Sequence, residues 1–190
     1  MNITGCVLSG GQGSRMSGED KGLVLFQERP LIAHVLDRLK PQVQQIIINA
    51  NRNLERYRAW GYPVVEDEVD LYSGPLAGIE RGLAMATTPW VAFVPCDSPF
   101  IPLNLIERLF ETLIAQQSQC AYVVSAEGPQ PVFCLLNKEL HDDLLASLNA
   151  GHKKLIAWLH KHSYSEVFFD HNEFFINLNT QAQLEQYSHD

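Results

Sequence analysis

The chain has 190 residues, a length that fits one domain, spanning 1–190, with a full hydrophobic core. Its hydrophobic fraction of 46% and charged fraction of 19% exclude a disordered chain, and no apolar run reaches bilayer-spanning length. A formal net charge of −8 argues against nucleic acid as a partner, since such binding needs a basic surface. Cys6, Cys96, Cys120 and Cys134 form no C-x-x-C pair and sit mostly in strand-like apolar runs, the usage of a reducing compartment. The first residues lack the basic region, apolar core and cleavage site of a secretory signal, so the expected location is cytoplasmic, with no membrane partner.

In chain order, Ile3–Leu8 reads as a buried strand. It runs into Ser9-Gly10-Gly11-Gln12-Gly13-Ser14-Arg15-Met16, followed shortly by Asp20-Lys21-Gly22, and Leu23–Phe26 is then a short apolar piece. Pro30 starts a helix with Leu31, Val35 and Leu39 at four-residue spacing, and Pro41 ends it. Ile46–Ile48 is a strand with Asn49 at its end; a polar helix passes through Glu55 and Arg58; Pro63–Val65 is a strand running into Glu66-Asp67. Gly74-Pro75 opens a helix carrying Ile79, Leu83 and Ala86, and Trp90–Val94 is a strand ending at Cys96-Asp97. Pro102 begins an amphipathic helix with Leu105, Leu109 and Leu113. Strands follow at Ala121–Val124 and Val132–Leu136, then helices over Lys138–Leu148 and Lys153–His162. The tail contributes Val167–Phe169, Phe174–Ile176 and a last helix from Thr180.

Apolar strands without alternation, separated by helices, predict a mostly parallel sheet covered on both faces, an α/β protein with three α/β/α layers. In such sheets ligands bind beyond the carboxyl ends of the strands. Gly10, Asn49, Asp67 and Asp97 all fall at that edge. Three glycines in four positions remove the Cβ atoms that keep a ligand from the backbone, and successive exposed N–H groups form a concavity for anions. Arg15 and Lys21 add two cations, so the loop points to a phosphate-bearing ligand such as a nucleotide. It is neither a P-loop, since no Gly-Lys pair occurs in the chain, nor a dinucleotide fingerprint, because Met16 stands where the last glycine belongs. The opposing reading is a plain flexible loop with solvated cations.

The residues of this loop, with Asp20-Lys21-Gly22-Leu23, resemble the signature of the molybdenum cofactor nucleotidyltransferases, and most closely the guanylyltransferases of the MobA family. Asn49-Ala50-Asn51-Arg52, Glu66-Asp67, Gly74–Gly78, Pro95-Cys96-Asp97-Ser98-Pro99 and Asn177-Leu178-Asn179-Thr180 extend the likeness over nearly the whole chain. Ser9 departs from it, standing where the family usually has alanine. The resemblance implies a Rossmann-like nucleotidyltransferase fold and transfer of GMP from GTP to the phosphate of the molybdopterin cofactor. It also implies Mg²⁺ and partner proteins that deliver and accept the cofactor. By this likeness Arg15, Lys21 and Asp97 are the catalytic candidates. Leu8, Ser9, Gly10, Gly11, Gly13, Lys21, Asn49, Asp67 and Asp97 bind the nucleotide, and Asn177 and Asn179 face the pterin.

The residues carry local readings beside these. Asp97, stiffened between Pro95 and Pro99, either holds Mg²⁺, a hard ion shared with substrate phosphates, or bonds its own turn. Asn49 either reads a base edge or ribose or caps the next turn, and Asp67 either does the same or belongs to a solvated acidic run with Glu66, Glu68 and Asp70. Thr180 with Gln183 forms a capping box that Asn179 can join. Cys96 is expected to pack rather than react. His160 and His162 are two apart on a predicted helix, so they should face solvent rather than share a metal. The rivals are a cytidylyl- or sugar-phosphate nucleotidyltransferase and, in another class, a non-catalytic GTP or pterin carrier.

Overall fold

The computed structural model describes residues 1–10, 20–68 and 74–187. Strand β1 (Ile3–Leu8) is followed, in the next described stretch, by a 3₁₀ turn over Lys21–Leu23. A short hairpin of β2 (Leu25–Phe26) and β3 (Arg29–Pro30) comes next, then helix α1 (Leu31–Leu39). β4 (Gln45–Asn49), α2 (Leu54–Arg58), β5 (Val64–Val65), α3 (Pro75–Met85) and β6 (Trp90–Pro95) alternate as strand and helix. The second half holds α4 (Leu105–Ala115), β7 (Cys120–Ser125), β8 (Gly128–Asn137), α5 (His141–Asn149), α6 (Leu155–Leu159), β9 (Tyr164–Phe169) and α7 (Gln181–Tyr187).

Seven strands form one sheet in the order β5-β4-β1-β6-β8-β7-β9. All neighbours run parallel except β8, which is antiparallel to both β6 and β7. β1 lies between β4 and β6, so the chain first builds outward on one side and then crosses back to the other. That reversal opens a crevice at the carboxyl end of β1.

The pleat explains why these strands are apolar throughout. On β4, Ile46 and Ile48 join one core while Ile47 joins the other; on β6, Ala92 and Val94 oppose Val91 and Phe93. The first core receives the inner faces of α1 and α4 through Ile32, Val35, Leu36, Leu105 and Leu109. The second receives α3, α5 and α6 through Ile79, Leu83, Leu144, Leu148 and Trp158. The fold is thus the expected three-layer one with a mostly parallel sheet.

Several local expectations change. The apolar Leu23–Phe26 piece is split between the 3₁₀ turn and the hairpin, whose turn holds Gln27 and Glu28 at φ of 47° and 63°. Both central residues need positive φ in such a turn, and neither is the Asn or Gly that usually marks one. Pro102 lies one turn before α4 rather than in it, and the helix expected over Lys153–His162 forms only at Leu155–Leu159. Phe174 and Phe175 lie in a 3₁₀ turn, Asn172–Phe175. β9 does alternate, with Ser165, Val167 and Phe169 buried and Tyr164 and Phe168 exposed, because it is the sheet edge.

Gly82 shows how tightly α3 is seated. A Cβ there would lie 2.5 Å from the Phe93 ring and 3.0 Å from the Cys6 sulfur, both fully buried. Alanine normally adds about 1 kcal/mol to a helix relative to glycine, whereas overpacking costs about 1–3 kcal/mol. Gly82→Ala is therefore expected to lower the urea midpoint. A midpoint that rose would mean α3 sits more loosely on the sheet than described.

Candidate nucleotide-binding site

A cavity of about 320 Å³ opens at the carboxyl ends of β1, β4 and β6. Leu8, Ser9, Gly10, Lys21, Asn49, Asp67, Asp97 and Asn177 all line it, and the four positions that the strand pattern placed at one edge, Gly10, Asn49, Asp67 and Asp97, are among them. Gly11, Gly13 and Arg15 lie outside the described residues. The loop is anchored at its start by β1, where the Ser9 N–H donates to the Asn49 carbonyl at 2.8 Å and the Leu8 carbonyl accepts from the Cys96 N–H at 3.1 Å.

One end of the cavity is an amide–carboxylate clamp. Asn49, 1% exposed, donates from Nδ2 to Asp67 Oδ1 at 2.8 Å and to the Val65 carbonyl at 3.3 Å. Asn51 donates to Asp67 Oδ2 at 2.7 Å and to the Gly10 carbonyl at 3.2 Å, and its Oδ1 accepts from the Asp67 N–H at 2.8 Å. Both oxygens of Asp67 are thereby oriented by amides. The solvated-run reading fails for Asp67, although it holds for its neighbour: Glu68 pairs at the surface with Arg81 at 2.6 Å. Asn49 does not cap a turn either; the residue before α2 is Asn53.

The clamp dictates two glycines. Asn49 Oδ1 is so close that a Cβ on Gly78 would meet it at 2.3 Å, and one on Gly10 at 2.9 Å. The Gly74–Gly78 stretch is indeed a helix start, with Pro75 in its first turn, but Gly78 is required by the neighbouring amide.

The other end gathers Lys21, Asp97, Ser98, Asn177 and Asn179. Asp97 is only 6% exposed, and its Oδ2 lies 3.2 Å from the Lys21 ammonium. Lys21 also donates to Asn179 Oδ1. The tail is tied down beside it, since the Leu178 N–H donates to the Asp97 carbonyl at 2.9 Å and the Ser98 hydroxyl donates to Asn177 Oδ1 at 2.5 Å. The capping reading of the Asn-x-Asn-Thr stretch holds. Gln183 Oε1 accepts from the Asn179 and Thr180 N–H groups at 2.8 and 3.1 Å, and the Thr180 hydroxyl accepts from the Gln183 N–H at 3.2 Å. Asn179 keeps its side-chain oxygen for Lys21.

Burial, reinforced by the Asp97 charge, pushes the Cys96 thiol well above its ordinary range, so it stays neutral and packs as expected. All four cysteines are free and buried. The Ser9 hydroxyl, also buried, sits beside Tyr57 and Cys96 without a well-formed hydrogen bond to either. Among the described residues no three His, Cys, Asp or Glu side chains come together to cage a metal. A lone hard carboxylate, with a neutral thiol beside it, suits Mg²⁺, which takes one or two carboxylates and fills its octahedron with substrate phosphates and water. His160 is exposed, but His162 corrects the expectation. Its ring turns inward, its Nε2 3.1 Å from Asp143 and its face 5.0 Å from Trp158, because α6 ends before it.

Two contributors escaped the sequence reading. Asn51 lies in the quoted Asn-Ala-Asn-Arg stretch, and the alternation that puts Asn49 and Asn51 on the same side of an extended chain would have revealed it. Val132 lines the cavity from β8 because the β7–β8 register jumps there, Tyr122 facing Cys134 while Val123 faces Gln130. No local signal announces that bulge.

Residues 5–166 match the model of the MobA-like NTP transferase domain. A protein of Ralstonia nicotianae named molybdenum cofactor guanylyltransferase is 46% identical over 194 aligned positions, covering 97% of this chain and 95% of that protein. One of the same name from Bordetella petrii is 46% identical over 189 positions, covering 97% and 96%. A crystal structure of molybdopterin-guanine dinucleotide biosynthesis protein A from Archaeoglobus fulgidus superposes with a TM-score of 0.78 at 20% identity, covering 98% of this chain and 97% of that one. With its loop-bearing strand, its cleft at the parallel edge and these likenesses along its length, the chain belongs to the MobA-like NTP transferase family and is a nucleotidyltransferase.

Proposed function

We propose that this enzyme transfers GMP from GTP to the phosphate of the molybdenum–molybdopterin cofactor, giving the guanine dinucleotide form and releasing pyrophosphate. The observation that carries the reading is the pairing, across one cavity, of an oriented carboxylate clamp with a lysine–aspartate–asparagine cluster. The names of the relatives supply guanine and the pterin acceptor.

The clamp suits a guanine nucleoside. Asp67, with each oxygen already receiving one amide proton, retains lone pairs for the N–H donors of guanine or for ribose hydroxyls. Gly10, with Gly11 and Gly13 after it, offers backbone N–H groups to the triphosphate. Lys21 lies where a phosphate oxygen would replace Asp97 or Asn179 as its partner, and Arg15 is assigned to the same anions. Asn177 and Asn179 take the pterin side.

In the transfer, an oxygen of the acceptor phosphate forms a bond to the α-phosphorus of GTP while the bond to the bridging oxygen breaks and pyrophosphate departs. A phosphate monoester is largely ionised at neutral pH, its second pKa being about 6, so no strong general base is needed. The residues bring two anions together in line and offset the charge that develops between them. Asp97 would hold Mg²⁺, which when bound offsets charge on phosphate oxygens. One domain carries both substrates, and the free buried thiols fit the reducing cytoplasm. The labile pterin calls for delivering and accepting proteins.

Two outcomes test this reading. Asp97→Asn, with the fold intact, is expected to lower pyrophosphate release from GTP and pterin by about 10²–10³-fold, the range for losing a key electrostatic group; near-normal turnover would remove Asp97 from the chemistry. With Mg²⁺ present, GTP should raise the melting temperature more than CTP, ATP or UTP. Gly78→Ala, by displacing Asn49, should erase that preference. A larger shift with CTP or another nucleotide than with GTP in the unaltered protein would favour the rival nucleotidyltransferase, and GTP binding without pyrophosphate release would favour a carrier.

A further inference from the structure

Beneath the site, on the face of the sheet away from Asn49, lies a polar cluster, Asp20, Asn53 and Tyr57, that does not line the cavity. Asp20 is 9% exposed, and its Oδ1 accepts from the hydroxyl of Tyr57, a side chain with no exposed surface. Asp20 Oδ2 accepts from Asn53 Nδ2 at 3.1 Å. Asn53 is held in the left-handed region, at φ 51° and ψ 35°, at the start of α2. The same tyrosine oxygen presses on the residue two further on: a Cβ added to Gly22 would lie 2.6 Å from it. Tyr57 therefore flanks Lys21 on both sides, through a hydrogen bond to the Asp20 carboxylate and through a hydroxyl that leaves no room for a Cβ at Gly22. The Asp20 carbonyl accepts from the Leu23 N–H at 2.9 Å and closes the 3₁₀ turn between them. Burial, with Cys96 and Asp20 nearby, raises the Tyr57 hydroxyl far above its ordinary range, so it remains a donor at any working pH.

A lysine side chain alone is a flexible stem with a point charge. Its ammonium reaches both Asp97 and Asn179 only if its backbone is fixed; the bonds from the Leu23 and Val24 N–H groups to the Asp20 and Lys21 carbonyls give the turn its shape, and contacts outside the turn must hold it in place. We propose that Tyr57 and Asp20 are positioning residues for the transfer reaction, holding the Asp20–Gly22 backbone so that the Lys21 ammonium stands between Asp97 and Asn179. Asn53 locks the Asp20 carboxylate from its second oxygen. The segment 49–57 then serves both ends of the cleft, carrying Asn49 and Asn51 of the clamp and the support for Lys21. This role rests on the proposed transfer, and its test is built to be read separately.

Two measurements decide it. In the first, an amine-reactive label is applied to the unliganded protein and its rate at each lysine is read by mass spectrometry. Tyr57→Phe should raise the rate at Lys21 at least threefold and leave Lys40 and Lys161 unchanged; an unchanged Lys21 rate would overturn the proposal without reference to activity. The second is a double-mutant cycle on pyrophosphate release with Tyr57→Phe and Lys21→Ala. Tyr57→Phe should lower kcat about tenfold with KM for GTP changed less than threefold, and should have no further effect in the Lys21→Ala background. Equal losses in both backgrounds would mean that the hydroxyl supports the fold and not Lys21. If Tyr57→Phe does not fold, Asp20→Asn, which keeps the shape but sets an amide against Asn53, is read by the same two criteria. An inactive unaltered protein would defeat the transfer reading, and the labelling result would still stand or fall by itself.

Discussion

A fully buried amide must find partners for its donors, and in this protein that requirement organises the cleft. Asn49 sits at the last residue of β4, sealed from water. Leaving an amide of this kind unpaired costs about 1–3 kcal/mol. Its Nδ2 reaches the end of β5, fixing Asp67, while its oxygen fits only because Gly10 and Gly78 lack a Cβ. One side chain thereby fits three segments together: the residues leaving β1, the stretch after β5 and the first turn of α3. The glycines serve the protein's own polar network as well as any ligand.

The second half of the cleft is built by longer-range pairing. Lys21 lies 76 positions from Asp97 and 158 from Asn179, and the tail reaches back to pair with the backbone at Asp97. Lys21 and Asp97 hold each other in the absence of ligand, partly shielded from water. This ion pair opens on the cavity, which both residues line.

Much of this was legible beforehand because of how burial writes itself into sequence. β1, β4 and β6 are covered on both faces, so they read as unbroken apolar runs, and the polar residue ending each run falls at the ligand edge. What stayed hidden had no local signature. The reversed direction of β8 is invisible to hydrophobic periodicity, and so is the bulge that turns Val132 into the cavity. The hairpin turn at Gln27–Glu28 lacks the residues that announce positive φ. Asp20 had no role assigned beyond its place in the motif, and its carboxylate bonds Tyr57. His162 looked solvent-facing because a longer α6 was expected.

The tail contacts bear on how the molecule is made. Synthesis proceeds from the amino terminus, so the sheet strands that carry Gly10, Asn49 and Asp97 are available well before Leu178 and Asn179 have left the ribosome. A nascent chain can collapse around its core while Lys21 still lacks one of its two partners, and the cleft is completed only after Leu178 and Asn179 have emerged.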